Sequence, residues 1–361
     1  MRATRSLAWP LSVVYLVLVG YASLYPFSGW RWPPGHALTD LMVLHWLAWA
    51  GHFDDLANLL GYALLGLLLA TSVMRSGGSW RQAVVAGCLG PSALSYVFEV
   101  TQHFLPSRVP SGRDWALNTA GAVLGASLAA ILQFTGLFKR WQRLRERWFL
   151  PDSVGAIALL VLWPVALLFP LPVPLGTGHI SEPLRGVVEG LTAPWGLVWP
   201  APPSTPLSAA RETLAVMLGL LAPCLLALVV TRSVGQRLVM VAGAGLVALA
   251  GTTLSTALNF SPDHALAWLT PTVVPAAMAA LVLAGVLSLA PPRLTAALAL
   301  VCVTAMIVLV LQAPSDPYRM ASLQAWEQGR FVRFHGLAQW VGWLWPHVTL
   351  GWLVLRLARR S

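Results

Sequence analysis

The chain has 361 residues, 57% of them hydrophobic and only 10% charged, with a mean hydropathy of +0.70. A soluble domain carries about 25% charged residues, so a water-soluble globule is excluded and the composition is that of a multi-pass membrane protein. Basic residues outnumber acidic ones 23 to 13, and with no soluble basic domain to present them they fit loops beside anionic lipid, not nucleic acid.

Apolar runs of about 20 residues predict an all-α polytopic fold of about ten transmembrane helices. In chain order the predicted spans are 7–24, 55–73, 83–104, 115–136 and 154–169, then 207–230, 238–258, 267–289, 294–311 and 337–355. The first follows Arg2 and Arg5 and is expected to be an uncleaved helix, since its apolar run is long and further spans follow directly. Trp46–Ala50 and the segment around Trp195 and Trp199 read as interfacial pieces. The basic run KRWQRLRER at 139–147 fixes orientation by the positive-inside rule, so both termini are expected on the cytoplasmic side of the cell membrane. Three parts result: a four-helix domain at 1–138, a basic cytoplasmic linker at 139–150 and a second bundle of about six helices at 151–361.

Cys88, Cys224 and Cys302 lie far apart in apolar runs, with neither disulfide nor zinc spacing. His36, His45, His52 and His103 fall on the predicted outer side, and His52 and His103 are able to approach each other there. No His-Glu-x-x-His or similar pair occurs, so no metal or other cofactor is expected.

Polar chemistry concentrates in three places, all near the predicted outer face. Asp55, Asn58 and Tyr62 follow i, i+3, i+7 spacing and share a helical stripe. Glu99 and Gln102 are three apart on another helix, beside His103. A Pro-rich break, LPSRVPSG, then holds Arg108, and Arg113 precedes a helix opening at Asp114 with Asn118 one turn on. Ionisable groups at membrane depth are costly and usually serve function. Two readings of Glu99 and Gln102 stay open: interhelical glue, or the wall of an outward-facing pocket. Arg108 and Arg113 either sit among headgroups or join the following helix N-terminus in receiving phosphate. Asp114 reads as an N-cap or first-turn acid able to pair Arg108. Gly121-x-x-x-Gly125 is a close-packing motif. Pro110-Ser111-Gly112 begins like the PSGH of membrane lipid phosphatases, but Arg113 stands where the His belongs, which sets that activity aside.

In the second half, Glu182, Arg185 and Glu189 predict a short amphipathic helix on the outer surface within a 171–206 loop. Trp340, Trp343 and Trp345 fit an aromatic belt. Glu327, Arg330, Arg333 and His335 form a second polar lip in the functional reading, with Asn259, Asp263 and His264 on the same side.

The sequence Asn58-Leu-Leu-Gly61 after Asp54-Asp55, then Glu99-Val-Thr-Gln102, Arg108, and Asp114-Trp-Ala-Leu-Asn118-Thr-Ala-Gly121 resembles the VanZ-like family over about a third of the chain. The resemblance implies cell-envelope biology. The family's namesake is associated with low-level resistance to the glycopeptide teicoplanin, by a mechanism not established. The expected function is an outward-facing polar pocket of Glu99, Gln102, Arg108, Asp114 and Asn118, with Asp55 and Asn58 opposite. It would bind a membrane lipid, an anionic or lipid-linked envelope precursor, or a glycopeptide-like amphiphile. The alternative is an enzyme on a lipid-linked phosphate substrate, with Glu99 as general base and Arg108 stabilising phosphate charge.

Overall fold

The computed structural model describes residues 8–25, 27–46, 52–196, 205–260, 262–314 and 332–358, and within these all side chains but those of 10, 52, 53, 138, 181–183, 187 and 332–337. The readings made for Arg2, Arg5, Trp199, Glu327 and Arg330, and for the side chains of His52, Glu182, Arg333 and His335, lie outside the description. Among the described residues the fold is all-helical, its only β feature an isolated bridge between Phe149 and Thr231. The chain divides into two compact units, Met1–Arg143 and Leu144–Ser361.

The first unit contains α1 (Ala8–Leu24), a single turn α2 (Leu38–Leu41), α3 (His52–Arg75), α4 (Trp80–Gln102) and α5 (Gly112–Phe134). Ser12 on α1 meets Ser72 on α3, and farther along Ser23 lies near Tyr62, so these two helices are antiparallel. Asn118 meets Ser95 while the earlier Ser111 meets the later Glu99, so α5 is antiparallel to α4. The α3–α5 contact rests on small residues. A Cβ on Gly121 would overlap the Leu59 carbonyl, one on Gly125 the Ala63 carbonyl, and one on Gly66 the Ala122 carbonyl. Contacts advance by four residues on both helices, so α3 and α5 run parallel with their backbones almost touching. This is the close approach that small-xxx-small patterns permit. The C-termini of α1 and α4 and the N-termini of α3 and α5 therefore share one end of the first unit.

The basic run is helical in α6 (Leu137–Trp148), within which the division between units falls. Beyond it come α7 (Val154–Leu167), α8 (Ser181–Thr192), α9 (Ala209–Val230), α10 (Val234–Phe260), α11 (Val273–Leu287), α12 (Pro292–Val310) and α13 (Val332–Ala358). In the second unit α9 is the axis: every residue from Leu218 to Val230 is buried, among apolar faces of α7, α10, α11 and α12.

Among the described residues six helices are long and apolar enough to cross a membrane: α3 from Asp54, α4, α5, α9, α10 and α12. The ten predicted runs all carry helix, but three of the helices are short apolar ones, Leu11–Leu24 in α1, α7 and α11. At 1.5 Å per residue the 14 residues of α7 rise only about 21 Å, against a hydrocarbon core of about 30 Å. The physical cause is proline. Thr270-Pro271 holds the start of α11 back to Val273, because the residue before proline avoids the helical region. Pro170, Pro172 and Pro174 prevent α7 from continuing.

The stretch after α7 departs from its predicted place in an outer-surface loop. From 173 to 179 the backbone is non-helical yet almost wholly buried. Leu175 sits in the left-handed region (φ 65°) with its carbonyl against Gly219 of α9, and Gly178 N–H donates to Gly342 O. Irregular backbone is tolerated in such a protein where protein covers it. The predicted amphipathic helix does form, as α8, with Arg185 paired to Glu189 at 2.6 Å. The aromatic-belt reading is corrected: Trp343 and Trp345 are buried and only Trp340 is exposed. Trp345 donates its indole N–H to Leu159 O, and Trp343 stacks edge-on against Phe169, so both pack helices inside the unit.

Candidate functional site

Six of the seven sequence candidates lie on three helices at the shared end of the first unit, and the seventh, Arg108, in the connection between α4 and α5. Asp55 and Asn58 stand in the opening turns of α3, Glu99 and Gln102 close α4, and Asp114 and Asn118 open α5. The parallel register of α3 and α5 sets Asn118 level with the Asp55–Asn58 turn.

Much of this chemistry holds helix ends. A helix C-terminus leaves carbonyls without intrahelical donors. Arg108 donates from Nε to Tyr25 O at 2.8 Å and from Nη2 to Ala22 O at 3.0 Å, and Gln102 Nε2 donates to Ser23 O at 2.9 Å. Two candidate ligand residues thus close the end of α1. Glu99, 5% exposed, accepts from the Ser111 backbone N–H at 2.9 Å. The Ser111 hydroxyl in turn accepts from Asp114 N–H as the N-cap of α5. Asp114 is therefore a first-turn acid and Ser111 is the cap, which decides between the two roles expected for that carboxylate. Carboxylates at the starts of α3 and α5 complement the positive ends of those helices.

A second layer lies one turn deeper. Arg113 Nη2 meets Asp55 Oδ2 at 2.5 Å, tying α5 to α3. Asn118, 4% exposed, donates through Nδ2 to Ser95 Oγ at 2.9 Å. The buried Tyr62 phenol lies within reach of the Ser95 and Ser23 hydroxyls and beside Glu99. Ser92 and Thr119 share a further hydroxyl contact at 2.8 Å. A polar seam therefore runs from Ser23 through Tyr62 and Ser95 to Asn118, between helices that elsewhere meet through alanine and glycine.

Three atoms in this layer are buried and have no hydrogen-bond partner: Asp55 Oδ1, Asn58 Nδ2 and Asn118 Oδ1. More than nine in ten buried polar groups are paired in native proteins, and an unsatisfied one costs about 1–3 kcal/mol. Three at one level of one helix contact mark a place where the protein has polar capacity unspent.

Sequence reasoning left Ser95 and Ser111 out of the candidates, and weighed Arg113 for phosphate or headgroups but not as the partner of Asp55. A signal was present: Ser92, Ser95, Glu99 and Gln102 recur at intervals of three and four, a full polar stripe along α4. His103 bonds back to Val100 O on its own helix through Nδ1, at 3.2 Å. Among the described residues no three His, Cys, Asp or Glu side chains converge to hold a metal.

No curated protein and no solved structure matches the chain. Residues 11–133, which take in α3, α4, α5 and the whole polar seam, match the model of the VanZ/LLP1 family, so the N-terminal third of this membrane protein is a VanZ-like domain.

Proposed function

We propose that the VanZ-like domain is a membrane-embedded binding module that takes the polar head of a lipid-linked or amphiphilic envelope component at the α3–α4–α5 seam. The observation that carries this reading is the trio of partnerless buried atoms on Asp55, Asn58 and Asn118, at the end of the domain where the helices open. Glu99, Gln102, Arg108 and Asp114 build the rim by fixing the ends of α1 and α5, and the amides and Asp55 supply the contacts. Such a head group would approach from the extracytoplasmic leaflet, in a ten-span topology with both termini inside, as the basic run of α6 favours. The match to the VanZ/LLP1 family supports a cell-envelope setting, in which tolerance of glycopeptide antibiotics is one phenotype to score.

The test is to purify wild type and Asn118→Leu in native-lipid particles and identify co-purifying molecules by mass spectrometry. An envelope lipid or precursor enriched with wild type alone supports the reading. Equal lipid profiles at equal thermal stability defeat it.

A further inference from the structure

The donor and acceptor inventory of the seam identifies the chemistry of that head, on the premise that the seam is a binding site. We infer that it is a hydroxyl-bearing sugar and not a phosphate. Asp55 Oδ1 is an acceptor only, so its partner must donate a hydrogen. The open atoms of Asn58 and Asn118 are one amide nitrogen and one amide oxygen. An amide pair meets a hydroxyl, which both donates and accepts, whichever way each amide is turned. A fully ionised phosphate has no hydrogen to give Asp55, and in either ionisation state a phosphate would bring like charge beside it.

The arginines near the seam already have partners. Arg113 is bonded to Asp55 Oδ2, and Arg108 directs Nε and Nη2 at carbonyls of the α1 terminus. Among the four helix ends and the α4–α5 connection, the carboxylates of Asp54, Asp55, Glu99 and Asp114 outnumber Arg108 and Arg113. The field at this end therefore opposes an anion even with two helix N-termini present. Trp115, one turn before Asn118, is partly exposed, with its indole N–H held by Ser92 O at 3.1 Å and its ring edge-on to Tyr96. It offers a fixed aromatic surface one turn from the Asn118 amide, suited to the apolar face of a sugar ring.

The experiment uses the full chain in lipid nanodiscs, titrated below micelle-forming concentrations with n-dodecyl maltoside or, separately, with n-dodecyl phosphate. The two probes share a chain and differ in head. The sugar probe is expected to raise the unfolding temperature saturably. Its half-saturation should weaken at least about tenfold in Asn58→Leu and in Asn118→Leu, the equivalent of one good hydrogen bond lost. A saturable response to dodecyl phosphate alone would overturn the sugar inference and leave the binding module standing. A maltoside response unchanged in both variants would place the sugar elsewhere and also overturn it. No saturable response to either probe, together with equal lipid profiles in the native particles, would remove the inference and the binding module alike.

Discussion

The two units solve the same problem, how helices hold together where lipid is as apolar as their side chains, in opposite ways. The second wraps one helix, α9, in a continuous apolar core and seats even an irregular segment, 173–179, against it. The first has a small alanine core around Ala70, Ala83, Ala126 and Ala129 and relies on glycine-mediated approach and polar contacts at one end. Two arginines sharpen the contrast. Arg237, at the start of α10, is 6% exposed and donates to Thr231 O, Ser288 O and Ala290 O at 2.7–3.2 Å. Arg108, read as a ligand residue, does the same for the end of α1 while remaining half-buried. Arginine in both units is a helix-end clamp. Among the described residues both units leave buried polar atoms without a partner, Trp163 Nε1, Thr177 Oγ1 and Trp343 Nε1 among those in the second; what sets the first apart is that its atoms belong to a carboxylate and two amides at one polar end.

The largest effect is expected from Gly125→Val. Its side chain would overlap the Ala63 carbonyl, and backbone cannot yield as a side-chain tip can. The first unit should lose its native fold, a cost of about 3 kcal/mol or more, read as loss of the monodisperse peak in size-exclusion chromatography. Gly243→Ala on α10 is the counterpart, since the added methyl would meet nothing within 4 Å. There helix propensity alone should act and stability rise by about 0.5–1 kcal/mol. Next comes Arg237→Ala, which strips donors from three carbonyls and should cost the second unit about 3 kcal/mol in chemical unfolding. Arg108→Ala should cost the first about 1–2 kcal/mol, because part of its surroundings is wet. Equal losses at the two arginines would undo the claim that one clamp is buried and the other peripheral.

The sequence made the helices legible because apolar runs of span length have few other uses; all ten runs carry helix. It misjudged where α11 starts, which is beyond Thr270-Pro271 and not at 267, and it left 173–179 in an outer loop. Proline and glycine lower hydropathy, yet Val173 and Leu175 among them are core residues, and only the packing of α9 and α12 reveals that. At the site, the carboxylates and amides stood out against an apolar background. Ser95 and Ser111 did not, since serine is ordinary in membrane helices. The Arg113–Asp55 pair joins residues 58 positions apart in sequence, a closeness set by the glycine register of α3 on α5 and not by local spacing.

The smallest expected effect discriminates best between glue and binding site. If Asn58 were interhelical glue, Asn58→Leu would cost the first unit the worth of its bonds, about 0.6–2 kcal/mol. The structure gives Nδ2 no partner, so replacing the amide with an apolar group of similar size removes an unsatisfied donor. With no ligand present the variant should be as stable as wild type or more stable by up to about 1 kcal/mol. A side chain that destabilises the empty protein and strengthens the loaded one is under selection for something other than folding. Thermal unfolding of Asn58→Leu, with and without the sugar probe, measures both halves of that statement. A lower unfolding temperature without probe would return Asn58 to the role of glue and make the two units alike after all.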